Sequence, residues 1–373
     1  MILKELKIKN FRNYKDVSIN FSPKINIIYG DNAQGKTNLL ESIFVLGITK
    51  SHRSFIDNNL IKKGEKKAYI KGIVEIDSIN TKLEIIIENK NKQLKIDDKE
   101  MKKISDYISK MNIIIFYPED LGLIKGSPLI RRKFVNLELS QLNSKYFITL
   151  SEYNHLLRIR NECLKKRKKN IYVDDAYFNI ITNYMIDKAN LLYNFRQKFI
   201  NELNEVCTDI YKKLTNIDNF FIKYKPSIYI ENKNKNINFI ELIRKKYCDI
   251  LQNEIKLGAT LIGPHRDDIE FYIGEQNLKI YGSQGQQRLA VLTVKLAEIE
   301  IFKKYTKTEP ILLLDDVFSE LDDKKKNKVL QYINNNIQTI ITTTDLKNID
   351  EQILNEALIL KIEDGNISYK KEV

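Results

Sequence analysis

Cysteine is scarce in this 373-residue chain: Cys163, Cys207 and Cys248 stand far apart, and the three histidines are as scattered. Neither set has the spacing of a zinc site, and three isolated cysteines make no disulfide framework. No run of 18 or more apolar residues occurs, so no membrane-spanning helix is expected. The first residues, Met1-Ile2-Leu3-Lys4-Glu5-Leu6-Lys7, carry charges where a secretory signal needs an apolar stretch. The expected compartment is therefore a reducing cytoplasm. Internal repeats and sustained heptads are missing too, which argues against a long coiled coil.

What is present is positive charge. Lysine and arginine number 62 against 49 aspartates and glutamates, a formal +13 that suits a polyanionic partner. The chain is also loaded with Ile, Asn and Lys, as an AT-rich genome writes everywhere, so charge supports nucleic-acid binding without establishing it. At 43% hydrophobic and 30% charged, the composition is that of a soluble globular protein.

Apolar-rich runs at Ile2 to Ile8, Val17 to Phe21 and Ile25 to Tyr29 read as strands, followed by a glycine-rich turn and a helix from Lys36 to Leu46. Further strands are expected at Ala68 to Ile76, Leu83 to Glu88, Gln93 to Ile96 and, as a short continuous apolar run, Asn112 to Phe116. From Leu121 to about Gln252 the pattern is mostly helical, with segments at Leu129 to Leu142, Phe147 to Lys169 and Tyr177 to Leu214. A polar stretch, Glu231 to Asn236, reads as an exposed loop. From Leu257 the α/β texture returns, with strands at Ile269 to Ile273, Ile311 to Leu314, Thr339 to Thr343 and Ala357 to Ile362. Helices are expected at Gln286 to Tyr305 and Lys324 to Asn335. The expected architecture is an α/β head split in sequence, 1–120 and 255–373, with an inserted all-helical lobe at 121–254.

Gly30-Asp31-Asn32-Ala33-Gln34-Gly35-Lys36-Thr37 fits G-x-x-x-x-G-K-[ST] without a mismatch, and it lies between a strand and a helix. Gly30 and Gly35 let the backbone turn so that successive N–H groups face phosphate oxygens, reinforced by the positive end of the following helix. Lys36 is expected to reach the β- and γ-phosphates, and Thr37 to hold Mg²⁺. Asn38 continues the run.

Ile311-Leu312-Leu313-Leu314-Asp315-Asp316 is a buried-strand pattern ending in two acids, at the end where α/β sheets bind ligands. Asp315 is placed to be a direct or indirect Mg²⁺ partner, and Asp316 to orient or deprotonate the attacking water. Ser319-Glu320-Leu321-Asp322 follows. Upstream, Gly282-Ser283-Gln284-Gly285-Gln286-Gln287-Arg288 opens a helix. Its serine and glycines make a second anion-binding nest, with Ser283, Gly285 and Gln286 as candidate nucleotide contacts. Cradle, nest and carboxylate strand stand in the order of an ABC-type P-loop ATPase.

At this point the residues resemble the RecF family of recombination mediators. The stretches "LKIKNFRNY", "GDNAQGKTN", "YPEDLGLIKGSPLIRRKF", "LIGPHRDDIEF", "SQGQQR", "LLLDDVFSELD" and "ITTTD" carry the likeness over nearly the whole chain. The resemblance implies a head similar to the SMC-like ABC ATPases, with a helical lobe in place of coiled-coil arms. It implies ATP and Mg²⁺, and a homodimer closed by ATP between one subunit's cradle and the other's Ser283 nest. It further implies DNA, both duplex and single/double-strand junctions, with RecR, RecO and, indirectly, RecA as partners. Three positions depart from the wider ABC pattern: Glu119 where a γ-phosphate-sensing glutamine is usual, Asp316 for a glutamate, and no histidine in Thr342-Thr343-Thr344-Asp345. The shorter Asp316 implies slow hydrolysis, suited to a timer; Thr344 and Asp345 are both candidates to replace the histidine.

Arg158, Arg160, Lys165, Lys166, Arg167, Lys168 and Lys169 form the densest basic run, a candidate for phosphate contacts and equally a solvated helix end. Arg131 and Arg132 are candidates for DNA, nucleotide or partner contacts; His265 and Arg266 have a catalytic look, but with no nucleophile beside them a buried hydrogen-bonding or interface role fits at least as well. Two rival classes remain, an ABC transporter subunit and a chromosome-structural SMC-like protein. A large helical insert disfavours the first and absent heptads the second.

Overall fold

The computed structural model describes residues 1–54, 56–88, 91–228, 239–316, 337–346 and 349–369. The polar loop at Glu231 to Asn236, the run Ser319 to Asp322 and the helix expected at Lys324 to Asn335 lie outside the described residues. Two compact units form: Met1–Asp120 with Lys295–Val373, and Leu121–Val294.

The first unit begins with strands β1 (Ile2–Phe11), β2 (Tyr14–Asn20) and β3 (Ile25–Tyr29), then helix α1 (Lys36–Ile48). Strands β4 (Lys67–Ile76), β5 (Ile79–Glu88), β6 (Asn91–Ile96) and β7 (Lys99–Glu100), the short helix α2 (Ser105–Ile108) and strand β8 (Ile113–Phe116) follow. The second unit holds α3 (Gly122–Lys125), α4 (Pro128–Leu142), α5 (Ser144–Lys168), α6 (Asp175–Thr215), β9 (Phe220–Lys225), α7 (Phe239–Leu257), β10 (Asp268–Ile273), β11 (Gln276–Asn277) and α8 (Leu278–Tyr281). Helix α9 (Gln284–Thr306) starts there, and its residues from Lys295 belong to the first unit. Strands β12 (Ile311–Asp315), β13 (Thr339–Thr343), β14 (Leu358–Glu363) and β15 (Asn366–Tyr369) complete the first unit.

Strict alternation in β4 turns Ala68, Ile70, Gly72 and Val74 inward, the pattern of a sheet with one buried face. A register shift between Leu3 and Glu5 of β1 lets Leu3 and Leu6, three residues apart, both point to the core. These strands form an antiparallel sheet ordered β2-β1-β4-β5-β6-β7. The other sheet is ordered β15-β14-β3-β13-β12-β8 and is parallel except for β15. Strands β8 and β12 are apolar without alternation and buried at every position, because a sheet covered on both faces has no solvent side. Helix α1 packs against strands of both sheets and buries 11 of its 13 residues, Leu39 to Ile48 among them. A helix that is buried on all sides needs no polar stripe.

In the second unit, α6 buries a stripe from Phe178 through Met185, Leu192, Phe199, Leu203 and Ile210, at the three-to-four spacing of one helix face. Asp174 caps it by accepting from the Ala176 and Tyr177 amides. Here the sequence reading needs correction. Residues 255–294 were assigned to the head, yet β10 pairs antiparallel with β9, Phe271 opposite Ile222 and Ile269 opposite Tyr224, and lies in the second unit. The lobe is therefore helical with a three-stranded sheet, ordered β11-β10-β9. Strand β9 alternates Phe220 and Ile222 inward with Phe221 and Lys223 outward, a six-residue signal that the helical texture around it hides.

Candidate functional site

The cradle is braced by two side chains that the sequence pattern did not single out, Asn13 in the turn between β1 and β2 and Tyr14 at the start of β2. Tyr14, fully buried, donates its hydroxyl to the Gly35 carbonyl at 3.0 Å, and the Asn13 amide donates to the Gln34 carbonyl at 3.2 Å. Asn38 in turn donates to the Asn13 side-chain oxygen at 2.9 Å, and Arg53 to the Asn38 oxygen at 3.1 Å. The β1–β2 turn thus braces the loop from one side, and the Gln34 side chain accepts the Asp364 amide on the other. Gly35 has φ of +114°, and a Cβ there would meet Asn13 Nδ2 at 2.5 Å; at Gly30 it would meet the Ile362 carbonyl oxygen at 2.4 Å. Only glycine fits either place. Asp31, Asn32 and Ala33 lie exposed at the mouth of the loop.

Lys36, 8% exposed, donates from Nζ to the carbonyls of Gly30 at 2.5 Å and Asp31 at 2.8 Å. Burial lowers its pKa from the ordinary lysine value, against the pull of Asp316, Asp31 and Asp315. On α1, Glu41 is fully buried; burial alone would raise its carboxyl, yet it lies below the usual range because Arg12 and Ser51 hydrogen-bond it. The Arg12 pair is bidentate, 2.8 and 2.7 Å.

Across the parallel sheet, Asp315 ends β12 with its carboxylate turned toward the cradle. Thr37 donates its hydroxyl to Asp315 Oδ1 at 3.0 Å, joining residues 278 apart in sequence. Desolvation raises the Asp315 pKa, offset in part by hydrogen bonds from Thr342 and Thr37. Asp316 follows at φ of +53°, its amide donating to the Thr342 hydroxyl at 3.1 Å. Among the described residues no cluster of three or more His, Cys, Asp or Glu side chains could hold a metal alone. A hydroxyl and one carboxylate instead suit a hard cation that keeps waters and takes its other ligands from phosphate, as Mg²⁺ does.

In the second unit, Ser283 and Gln286 form a reciprocal cap: the Gln286 amide donates to Ser283 Oγ at 3.2 Å and the Ser283 amide to Gln286 Oε1 at 2.9 Å. A Cβ on Gly285 would meet nothing within 4 Å, so this helix start is bare. Ile280 and Tyr281 just before it are 68% and 69% exposed. Glu119 stands in the turn Pro118–Leu121 that ends the first part of the first unit.

Several basic candidates are spoken for inside the second unit. Arg160 is fully buried and donates to Glu254 at 2.6 Å and Thr260 at 2.8 Å, so it is no phosphate contact. Arg167 pairs with Asp175 and lies 4.0 Å over the Phe178 ring. Arg131 makes a bidentate pair with Asp268, and Arg132 donates to the Asp267 carbonyl. Arg158, Lys165, Lys166, Lys168 and Lys169 remain exposed. His265 belongs to a buried network: the Thr260 carbonyl can only accept, so Nε2 carries the proton and Nδ1 accepts from the Tyr153 hydroxyl at 2.7 Å.

Comparison with known proteins settles the family. The RecF/RecN/SMC N-terminal domain model matches residues 2–366. The DNA replication and repair protein RecF of Ligilactobacillus salivarius is 39% identical over 369 residues, 99% of this chain and 97% of its own. The chain belongs to the RecF family. The RecF of Bacillus thuringiensis is likewise 39% identical, over 98% of both chains. A solved structure of the recombination mediator RecF with ATP, in the RecFOR pathway, is 32% identical with a TM-score of 0.92, covering 99% of this chain and 97% of that one. An Smc head bound to the C-terminal winged-helix domain of ScpA is 17% identical with a TM-score of 0.53, a likeness of fold alone. The fold class is thus the ABC-type ATPase head of RecF and Smc. The sequence reading did not single out Thr342, Asn13, Tyr14 or Glu41; "FRNY" beside the cradle motif was the available signal for two of them.

Proposed function

We propose that the chain is an ATP-driven DNA clamp of recombinational repair, a homodimer that closes on ATP and opens when ATP is hydrolysed. One observation carries the reading: Thr37 of the cradle and Asp315 of the carboxylate strand meet at 3.0 Å, which pairs a phosphate-binding loop with a cation ligand.

In this reading the amides of the Gly30–Lys36 loop and Asn38 receive the phosphates. Lys36 exchanges two loop carbonyls for phosphate oxygens, regaining a full charge partner in a site whose burial now weakens its charge. Thr37 and Asp315 would hold Mg²⁺, which would supply charge neutralisation to the phosphates when bound. Asp316 orients the attacking water and takes its proton as the oxygen bonds to the γ-phosphorus and the bond to the ADP oxygen breaks. The Ser283–Gly285–Gln286 helix start of a second copy closes the site. Its bare glycine and the exposed Ile280 and Tyr281 beside it support a face made for a partner.

Lys165, Lys166, Lys168 and Lys169 at the end of α5 would meet duplex DNA or a single/double-strand junction, with RecR and RecO as partners and RecA loaded in consequence. Hydrolysis would be slow and would time release. ATP hydrolysis measured with and without gapped duplex DNA tests the reading: turnover that rises with DNA supports it, and a rate that DNA leaves unchanged opposes it.

A further inference from the structure

Strand β13 lies between the cradle strand β3 and the carboxylate strand β12, so whatever it presents at this level sits between the two halves of the site. It presents Thr342, 1% exposed, directly opposite Asp315 on one neighbour and Ile28 on the other. A buried hydroxyl has one proton and two lone pairs, and here the assignment is constrained. The Asp316 amide donates to Thr342 Oγ1 at 3.1 Å, so that oxygen is an acceptor there. The proton then has two acceptors in reach, Asp315 Oδ1 at 2.7 Å and the Leu314 carbonyl at 3.4 Å. The shorter one is charged, and a hydrogen bond to a charged group is the stronger.

We propose that Thr342 is a positioning residue of the ATPase site, its hydroxyl aiming Asp315 at the cation while holding Asp316 in its turn. The inference rests on the nucleotide-site reading above. It follows from the chemistry of Asp315 Oδ1, which accepts from both Thr37 and Thr342. When Thr37 turns its oxygen to a cation, Thr342 is left, among the described residues, as the hydroxyl donor that orients that carboxylate. Its second bond reaches the next acid: Asp316, a non-glycine residue at φ of +53°, keeps this strained backbone through its amide bond to Thr342. One hydroxyl thus holds the carboxylate of Asp315 and the backbone of Asp316. The two residues expected to stand in for the missing histidine, Thr344 and Asp345, are both exposed, and the hydroxyl that reaches the carboxylate strand belongs to Thr342, two residues before Thr344.

The test is nucleotide binding, followed by a fluorescent ATP analogue across a Mg²⁺ titration in the wild type, Thr342→Val and Thr342→Ser. Valine keeps the shape and removes the hydroxyl; serine restores it. Ligand-orienting partners typically account for about ten- to a hundredfold in metal affinity. Valine should raise the Mg²⁺ concentration for half-maximal binding by at least about tenfold, with Mg²⁺-free binding and the melting temperature little changed, and serine should return it to the wild-type value. An unshifted valine variant, or a serine variant shifted as far as valine, overturns the role of the hydroxyl. A wild type that binds no nucleotide with Mg²⁺ would instead remove the site reading itself, and this inference with it.

Discussion

At the scale of single residues, charge and burial decide which groups work and which hold the fold. Replacing Lys36 by methionine should abolish nucleotide binding, since no other cation is placed in the loop; a fluorescent analogue that still binds within tenfold of wild type would contradict that role. Arg160 makes the opposite case. Arg160→Ala strands Glu254, fully buried, without its partner, and should cost about 3–5 kcal/mol in urea unfolding while leaving the salt dependence of DNA binding alone. Neutralising Lys165, Lys166, Lys168 and Lys169 together should do the reverse, flattening that dependence with little effect on stability. A salt slope untouched by the four changes would place DNA elsewhere. His265 links stability to pH. Burial lowers its pKa from 6.5 to about 4, so its neutral form is the folded one. The stability it contributes is complete above about pH 6.5 and is lost as the pH falls through 4, up to about 3 kcal/mol in all. Relative to wild type, His265→Gln should lose less stability between pH 7 and pH 4 in urea melts; parallel losses would contradict the assignment.

At the scale of elements, the phosphate loop is shaped by its neighbours as much as by its own glycines. Gly35→Ala combines a left-handed backbone with a Cβ 2.5 Å from the Asn13 amide, and should cost about 1–3 kcal/mol divided between melting temperature and nucleotide affinity. If affinity and melting temperature both match wild type, the loop is looser than its contacts imply. The same element shows what the sequence could tell. The loop and its strand–helix setting were legible because the motif is local: eight consecutive residues specify it. Strands β8 and β12 were legible because doubly covered strands are near-continuous apolar runs, and β3 and β13 because their isoleucines and β-branched threonines favour an extended chain. Bracing by Asn13 and Tyr14 was not, since it spans 21 residues and depends on which way a turn points. Thr342 was hidden for a related reason: within a run of three threonines, only the pairing of β13 with β12 says which one faces Asp315. The basic run misled at Arg160 because composition carries no information about which face of a helix is buried.

At the scale of the molecule, the split in sequence has a simple cause. Strands β1 to β8 leave the parallel sheet unfinished, and β12 to β14 complete it only after the second unit has been threaded. The second unit's boundary was misplaced because β9 finds its partner β10 beyond a helix, and a lone six-residue strand has no periodic signature strong enough to announce a sheet. In the proposed dimer, the phosphate cradle of one copy and the bare helix start of the other would be the two halves of one site. Charging the exposed pair, Ile280→Glu with Tyr281→Glu, should weaken ATP-dependent dimerisation at least about tenfold in sedimentation while sparing the monomer's fold. Unchanged self-association would move the interface off that face. The most direct measurement is the solution mass of Asp316→Asn with ATP, taken by light scattering. This variant keeps the cradle and loses the group proposed to activate water, so the account predicts a lasting dimer with ATP and a monomer with ADP. A variant that binds ATP and still weighs one chain would contradict it.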